Sequence, residues 1–315
     1  MKQLSLLILF AALLPGASAQ SHFFKSKDAY LGQKLPGDKP EEFAHQMLMK
    51  NDTFPMGRVA FSQDGKEFYY TSSNTWNNAK PTKIRYFKYE KGKWNGPFIL
   101  NEHYDTPTFS VDGSKLYFVG GKKDGKHYIV WQSLRKPGGG WTEPSVYIAA
   151  RYALYNFMPT ASGNCYAGSR VPGDSTRRDM DICALQMSPG DTTIRGLGEP
   201  INTRGFDGDF FIAKDESYMI VSTKETRDYE SELWISFHKP DGSWTKMLSL
   251  GPEINDGLAH RWGEYVSPDG KYLFYSTGHS PQDCHINWLR FDGLLAKLKA
   301  QAGIENAFHK RPDAN

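Results

Sequence analysis

FSQDGKEFYY at 61–70, FSVDGSKLYF at 109–118 and VSPDGKYLFY at 266–275 are three copies of one ten-residue pattern. Each reads as a β-forming run, an Asp-Gly turn and a second β-forming run. That is a hairpin whose turn needs residues tolerant of positive φ. Looser copies stand at PTASGNCYAG (159–168) and IAKDESYMIV (212–221). The turn positions Asp64, Asp112, Ser162, Asp215 and Asp269 are spaced by 48, 50, 53 and 54 residues. A period of about fifty is that of a four-stranded propeller blade.

A second marker runs in phase with the first. Trp94, Trp141 and Trp244 each follow a Gly-containing turn (KGKW, GGGW, DGSW), and strand-like runs such as IRYFKY (84–89) and ELWISF (232–237) fill the space between the markers. The expected fold is therefore all-β: a single β-propeller of about five four-stranded blades. The last copy has no outer strand after INWLRF (286–291), because LLAKLKAQAG carries helical spacing. KPEEFAHQMLM (39–49) resembles an outer strand and is expected to close the ring, which removes exposed edges.

Outside the repeat, Lys2, the apolar run Leu4 to Leu14 and Ala17-Ser18-Ala19 have the order of a secretory signal peptide cut near Ala19-Gln20. The expected divisions are a signal peptide (1–19), an N-terminal extension (20–38), the propeller (39–299) and a C-terminal tail (300–315). The expected compartment is the periplasm or the medium. With 38 Lys and Arg against 35 Asp and Glu, the net charge of +3 gives no basis for nucleic-acid binding. No membrane span is expected, and a monomer is. Of three cysteines, Cys165 and Cys183 fall on neighbouring strands and are the pair expected to bridge in an oxidising compartment; three reduced, buried thiols is the alternative.

SPDGKYLFYST (267–277), SQDGKEFYYTSS (62–73), ELWISFHKPDGSWTK (232–246) and GPEIND (251–256) resemble the TolB-type, WD-like propellers of bacterial secreted proteins. The resemblance implies the architecture and leaves activity open, since such repeats occur in partner-binding proteins and in enzymes such as oligogalacturonate lyases. TolB-type rings have six blades where five are counted here. No match to the metal-binding set of those lyases is evident.

Propeller geometry places the residues just before each inner strand around one mouth of the central channel. In matched register these include Arg58, Asp105, Asn156, Asp209 and Glu264, with Tyr155 and Trp262, then Tyr104 and Arg261, then His103 and His260. Ionisable and aromatic groups in that ring exceed what packing needs. The expected catalytic set is His103, His260, Asp209, Glu264 and Tyr104. The expected substrate-binding set is Arg58, Asp105, Asn156, Tyr155, Arg261, Trp262, Arg170 and Arg177. Loops on the same face add Trp76, Asn77, Asn78, Lys122, Lys123, Arg178, Lys224, Arg227, Tyr229 and His279. Their positive charge suits an anionic ligand, because Arg forks hold carboxylates and aromatic faces stack on sugars.

Two classes of function fit. One is an extracytoplasmic propeller that binds, and as an enzyme cleaves, an acidic polysaccharide or oligosaccharide, by lyase or glycoside hydrolase chemistry. The other is a non-catalytic scaffold for a protein or an envelope glycan. No phosphate-binding glycine loop, metal-type Cys or His spacing or nucleophile elbow is evident. No cofactor is expected, and a channel Ca2+ is left open.

Overall fold

Ser-x-Asp-Gly is the turn that builds the ring. In the first blade the Ser62 hydroxyl donates to Asp64 Oδ1 at 2.6 Å and accepts from the Glu67 amide at 2.9 Å, while Asp64 Oδ1 accepts the Lys66 amide. Ser110–Asp112 and Ser267–Asp269 repeat the same set of bonds. Gly65, Gly113 and Gly270 take φ of +73° to +74°, where glycine meets no steric penalty. All the partners lie within five residues, so this turn is specified locally.

The computed structural model describes residues 22–50, 53–76, 82–120, 128–150, 152–171, 180–188, 191–226 and 228–304. The expected signal peptide, Arg177 and the loop residues at 77, 78, 122, 123, 178 and 227 lie outside them.

Five antiparallel sheets of four strands form the five expected blades. Their inner strands are Phe54–Phe61, Tyr104–Phe109, Tyr155–Pro159, Phe210–Ile212 and His260–Val266. The second strands, starting at Glu67, Lys115, Cys165, Tyr218 and Tyr272, follow the Asp-Gly-type turns. The core lies between blades. Trp141 Nε1 of blade two donates to Tyr69 Oη of blade one at 2.8 Å, and Arg135 lies 4.3 Å over the Trp141 ring while its guanidinium grips Glu67. The tryptophan marker is thus a seam residue.

Ring closure is N-terminal, as expected, but the strand is shorter than 39–49. The strand is Glu41–Glu42, opposite Trp288 and Asn287 of His285–Arg290, with the Phe43 amide donating to the Ile286 carbonyl and the Arg290 amide to the Gly37 carbonyl on either side. The chain then turns at Ala44 (φ +48°) into one helical turn, His45–Leu48. That roll buries both Phe43 and Leu48 against the blade-one and blade-five aromatics, which a straight strand could not do. Residues 22–38 also belong to this core. Tyr30 is fully buried, donates to Asp269 at 2.7 Å and packs edge-on to Tyr272 and Phe61. The C-terminal helix, Asp292–Gln301, packs on the same end of the ring through Leu294, Leu295 and Leu298.

The expected disulfide is overturned. Cys165 stands opposite Leu185 and Cys183 opposite Ala167, so the two sulfurs are offset by two ladder positions, and Cys165, Cys183 and Cys284 are free, buried thiols. Burial pushes Cys165 up to about 11, and Cys183 and Cys284 to about 12.

Candidate functional site

Four of the five inner strands carry a bulge at one register. It falls between Met56 and Ala60, Asp105 and Thr108, Tyr155 and Met158, and Trp262 and Tyr265. Gly57, Thr106, Asn156 and Gly263 take positive φ there. A bulge breaks the two-residue alternation and re-aims side chains, here toward the axis. Gly263 cannot be replaced without displacement, because a Cβ would lie 2.3 Å from the Gly57 carbonyl carbon where blades five and one meet.

The bulges aim a deep layer of polar groups. Arg58 is wholly buried and spans the axis: its guanidinium donates to Thr108 Oγ1 at 3.2 Å, to the Phe157 carbonyl at 3.4 Å and to the Phe210 carbonyl. One side chain from blade one thereby ties blades two, three and four. Burial lowers Arg58 to about 10, opposed by the charges of Glu264 and Asp209. Glu264 is fully buried and neither carboxyl oxygen has a hydrogen-bond partner, so desolvation holds it protonated well above the usual range.

Above this layer lies a recess of about 200 Å³ at the channel mouth. Every blade lines it, with Trp76, Asp105, Tyr155, Phe206, Asp209, Glu225, Tyr229, His260 and Trp262 as its main groups. Asp209 accepts from Asn156 Nδ2, which also reaches the Gly208 carbonyl at 3.2 Å. Burial raises Asp209 to about 6, aided by Glu225 and opposed by His260. Burial raises Asp105 further, to about 7, opposed by the hydroxyl of Thr106, which donates to it at 3.3 Å. The charge of Asp209, then burial, holds the Tyr155 hydroxyl protonated far beyond its ordinary value. His260 stacks on Trp262 at 3.9 Å, and its Nε2 faces Glu225 Oε2 at 3.5 Å. Among the described residues, no Lys or Arg lines the recess and no group of three His, Cys, Asp or Glu is arranged to hold a metal ion.

Of the expected residues, Asp105, Tyr155, Asp209, His260 and Trp262 therefore meet in one pocket, with Asn156 and Glu264 immediately behind. Six expectations need correction. His103 is exposed, at a positive-φ corner outside the recess (φ +72°), so matched sequence register did not carry it to the axis. Tyr104 packs edge-on to Phe118 and Trp131 within its own blade. Arg261 is buried with its guanidinium spent on five backbone carbonyls, those of Ser231, Ile254, Asp256, Ala259 and Gly257, which fixes the loop entering blade five. Arg58 lies beneath the pocket as a tie between blades. Arg170 is exposed and outside the lining. Lys224, expected at the mouth, instead pairs with Glu232 and lies over Trp234.

Sequence reading missed Glu225 and Phe206. Glu225 sits in KETRDYE (224–230) beside Lys224 and Tyr229, on a loop already assigned to this face. Its signal was its place opposite His260, which only the fold supplies.

Fold and site together define a five-bladed β-propeller with an acidic, aromatic-walled pocket on its axis. No protein-family model and no curated protein matches the sequence. Among solved structures the chain is similar to a puromycin-hydrolysing peptidase of Mycobacterium tuberculosis (12% identity over 73% of this chain and 34% of that one, TM-score 0.40). It is also similar to a 6-phosphogluconolactonase-like protein of Bacteroides uniformis (16%, 69% and 62%, TM-score 0.38) and to an oligogalacturonate lyase in complex with manganese (10%, 78% and 68%, TM-score 0.42). The chain spans about a third of the length of the first of these and under two thirds of the second.

Proposed function

We propose that this is an extracytoplasmic carbohydrate-active propeller that binds a saccharide in the axial pocket and hydrolyses its glycosidic bond. The observation that carries this reading is the convergence of Asp105, Asp209 and Glu225 with the rings of Trp76, Tyr155, Phe206, Tyr229 and Trp262 in one recess fed by all five blades. Aromatic faces bind the apolar faces of sugar rings. A pair of carboxyl groups with separated proton affinities is what glycoside hydrolysis needs.

Asp105, at about 7, is the proton donor to the leaving-group oxygen as the C–O bond breaks. Asp209, at about 6 and hydrogen-bonded by Asn156, is the ionised partner that either stereochemical course requires. Both groups titrate above the ordinary carboxylate range, so kcat/KM is expected to form a bell with its limbs near neutral pH.

Lyase chemistry on a uronate, with His103, His260 or a tyrosine as base and Arg58 or Arg261 neutralising the carboxylate, has less support. His103 is outside the pocket, Tyr155 is held protonated, and both arginines are engaged with backbone, which leaves His260, facing Glu225, as the expected base that lines the recess.

The test is product formation and binding on a panel of neutral, amine-bearing and acidic oligosaccharides. Asp105→Asn and Asp209→Asn should each lower turnover by about 10²–10⁴-fold while binding persists, the usual range for a general acid or base. His103→Ala should match the wild type. Binding without turnover of any panel member would refute hydrolysis and leave a glycan-binding scaffold.

A further inference from the structure

The pocket's charge has the wrong sign for an acidic ligand. Three carboxyl groups line it, the uncharged Glu264 lies behind, and Arg58, the one cationic group close beneath among the described residues, directs its terminal nitrogens to Thr108 and to the Phe157 and Phe210 carbonyls. One corner has a more specific shape. Trp76 stands nearly perpendicular to Trp262 (83°, 5.7 Å) and to His260 (77°, 5.4 Å), and Tyr229 closes a third side at 5.9 Å from Trp76. These rings come from blades one, four and five, so the corner exists only in the assembled ring. Behind it His260 is 9% exposed and both its ring nitrogens lack a hydrogen-bond partner, while Glu225 faces it. Packing alone leaves that polar edge unsatisfied, whereas a ligand bearing hydrogen-bonding groups would satisfy it.

We infer that this corner is a cation cage that seats a positively charged nitrogen, so that the saccharide recognised is one carrying a free amine. In such a seat the rings of Trp76 and Tyr229, and the face of Trp262 that His260 does not cover, would present the negative side of their quadrupoles, and Glu225 would supply the counter-charge. Among the described residues nothing of positive charge competes for the seat except His260, which Glu225 already faces. An N-acetylated sugar would bring a neutral amide to the same corner, and a uronate would bring a carboxylate against Glu225 and Asp209. The ligand's charge does not depend on the hydrolase reading; its being a sugar does.

Calorimetric titration with a free-amine glucosamine oligomer, its N-acetylated counterpart and a galacturonate oligomer of equal length tests both parts. The amine form should bind about tenfold or more tightly than the N-acetylated form, and Glu225→Gln, which keeps shape and removes charge, should erase most of that preference. Equal or tighter binding of the N-acetylated or galacturonate oligomer would overturn the cage while leaving saccharide binding intact. Tetramethylammonium, followed by tryptophan fluorescence, is the sugar-free probe. If it binds wild type but not Glu225→Gln, and no oligosaccharide binds, the cage stands and the hydrolase reading falls. If none of the four ligands binds, both fall.

Discussion

Replacing Asp105 with Asn should stabilise the protein while destroying its activity. The folded state holds the Asp105 carboxyl at about 7 against 3.8 for the free side chain, chiefly because burial disfavours the charged form. Between those two values the folded protein binds the proton more tightly than the unfolded chain does. Stability from this group is thus fully present below about pH 4 and is lost as pH rises through about 7. A rise of about three pH units corresponds to about 4 kcal/mol at 1.36 kcal/mol per unit. Relaxation and water entry on ionisation reduce this, so about 2–4 kcal/mol is the realistic range. Asn has the same shape, keeps an oxygen to accept from Thr106 and never ionises. Thermal unfolding of wild type and Asp105→Asn from pH 4 to 8.5 should give coincident midpoints at pH 4. The variant's lead should grow to about 4–8 °C by pH 8.5, at about 2 °C per kcal/mol for a chain of this size. Stability gained where turnover is lost marks a group kept for chemistry and not for folding. A pH-independent difference, or a variant less stable at pH 8, would refute the argument that Asp105 is strained by desolvation.

Two further outcomes follow from the fold. Gly263→Ala forces a Cβ to within 2.3 Å of the Gly57 carbonyl carbon at φ +67°. It should cost about 3 kcal/mol or more, seen as a large fall in the denaturation midpoint, whereas Gly257→Ala, at similar φ in open space, should cost about 1 kcal/mol. Thiol titration of the denatured, unreduced protein should find three thiols, and the native protein should react slowly, since all three are buried with raised proton affinities. Finding one thiol would restore the Cys165–Cys183 bridge.

The blade count was legible because its determinants are local. Ser62, Asp64 and Gly65 bond within five residues, and the same residues do so at 110–115 and 267–272. A hairpin specified that way survives in sequence as a repeat, and the step of about fifty residues then fixes both the fold and which strand ends face the channel. N-terminal closure could be read for the same reason, from a strand missing at 291 and supplied before 54. The cysteine pair could not. Two residues on neighbouring strands bridge only if they share a ladder position, and these two stand two positions apart, a register that spacing in the chain does not fix.

The site was decided by tertiary structure. Matched register put Asp105, Tyr155, Asp209, His260 and Trp262 at the axial mouth, where they line the recess, and Asn156 and Glu264 with them, which lie buried behind it, because propeller symmetry brings these strand ends to the axis. It treated Arg58, His103 and Arg261 as equivalent to them, and the bulges broke that equivalence. At Gly57 and Gly263 the chain turns through positive φ, which sends Arg58 down the axis to the carbonyls of blades three and four and leaves Arg261 facing its own loop. Residue types thus announced that charge gathers at the mouth. The sign of the charge that reaches the pocket depended on which arginines found carbonyls to satisfy them, and those carbonyls lie up to 152 residues away in the chain.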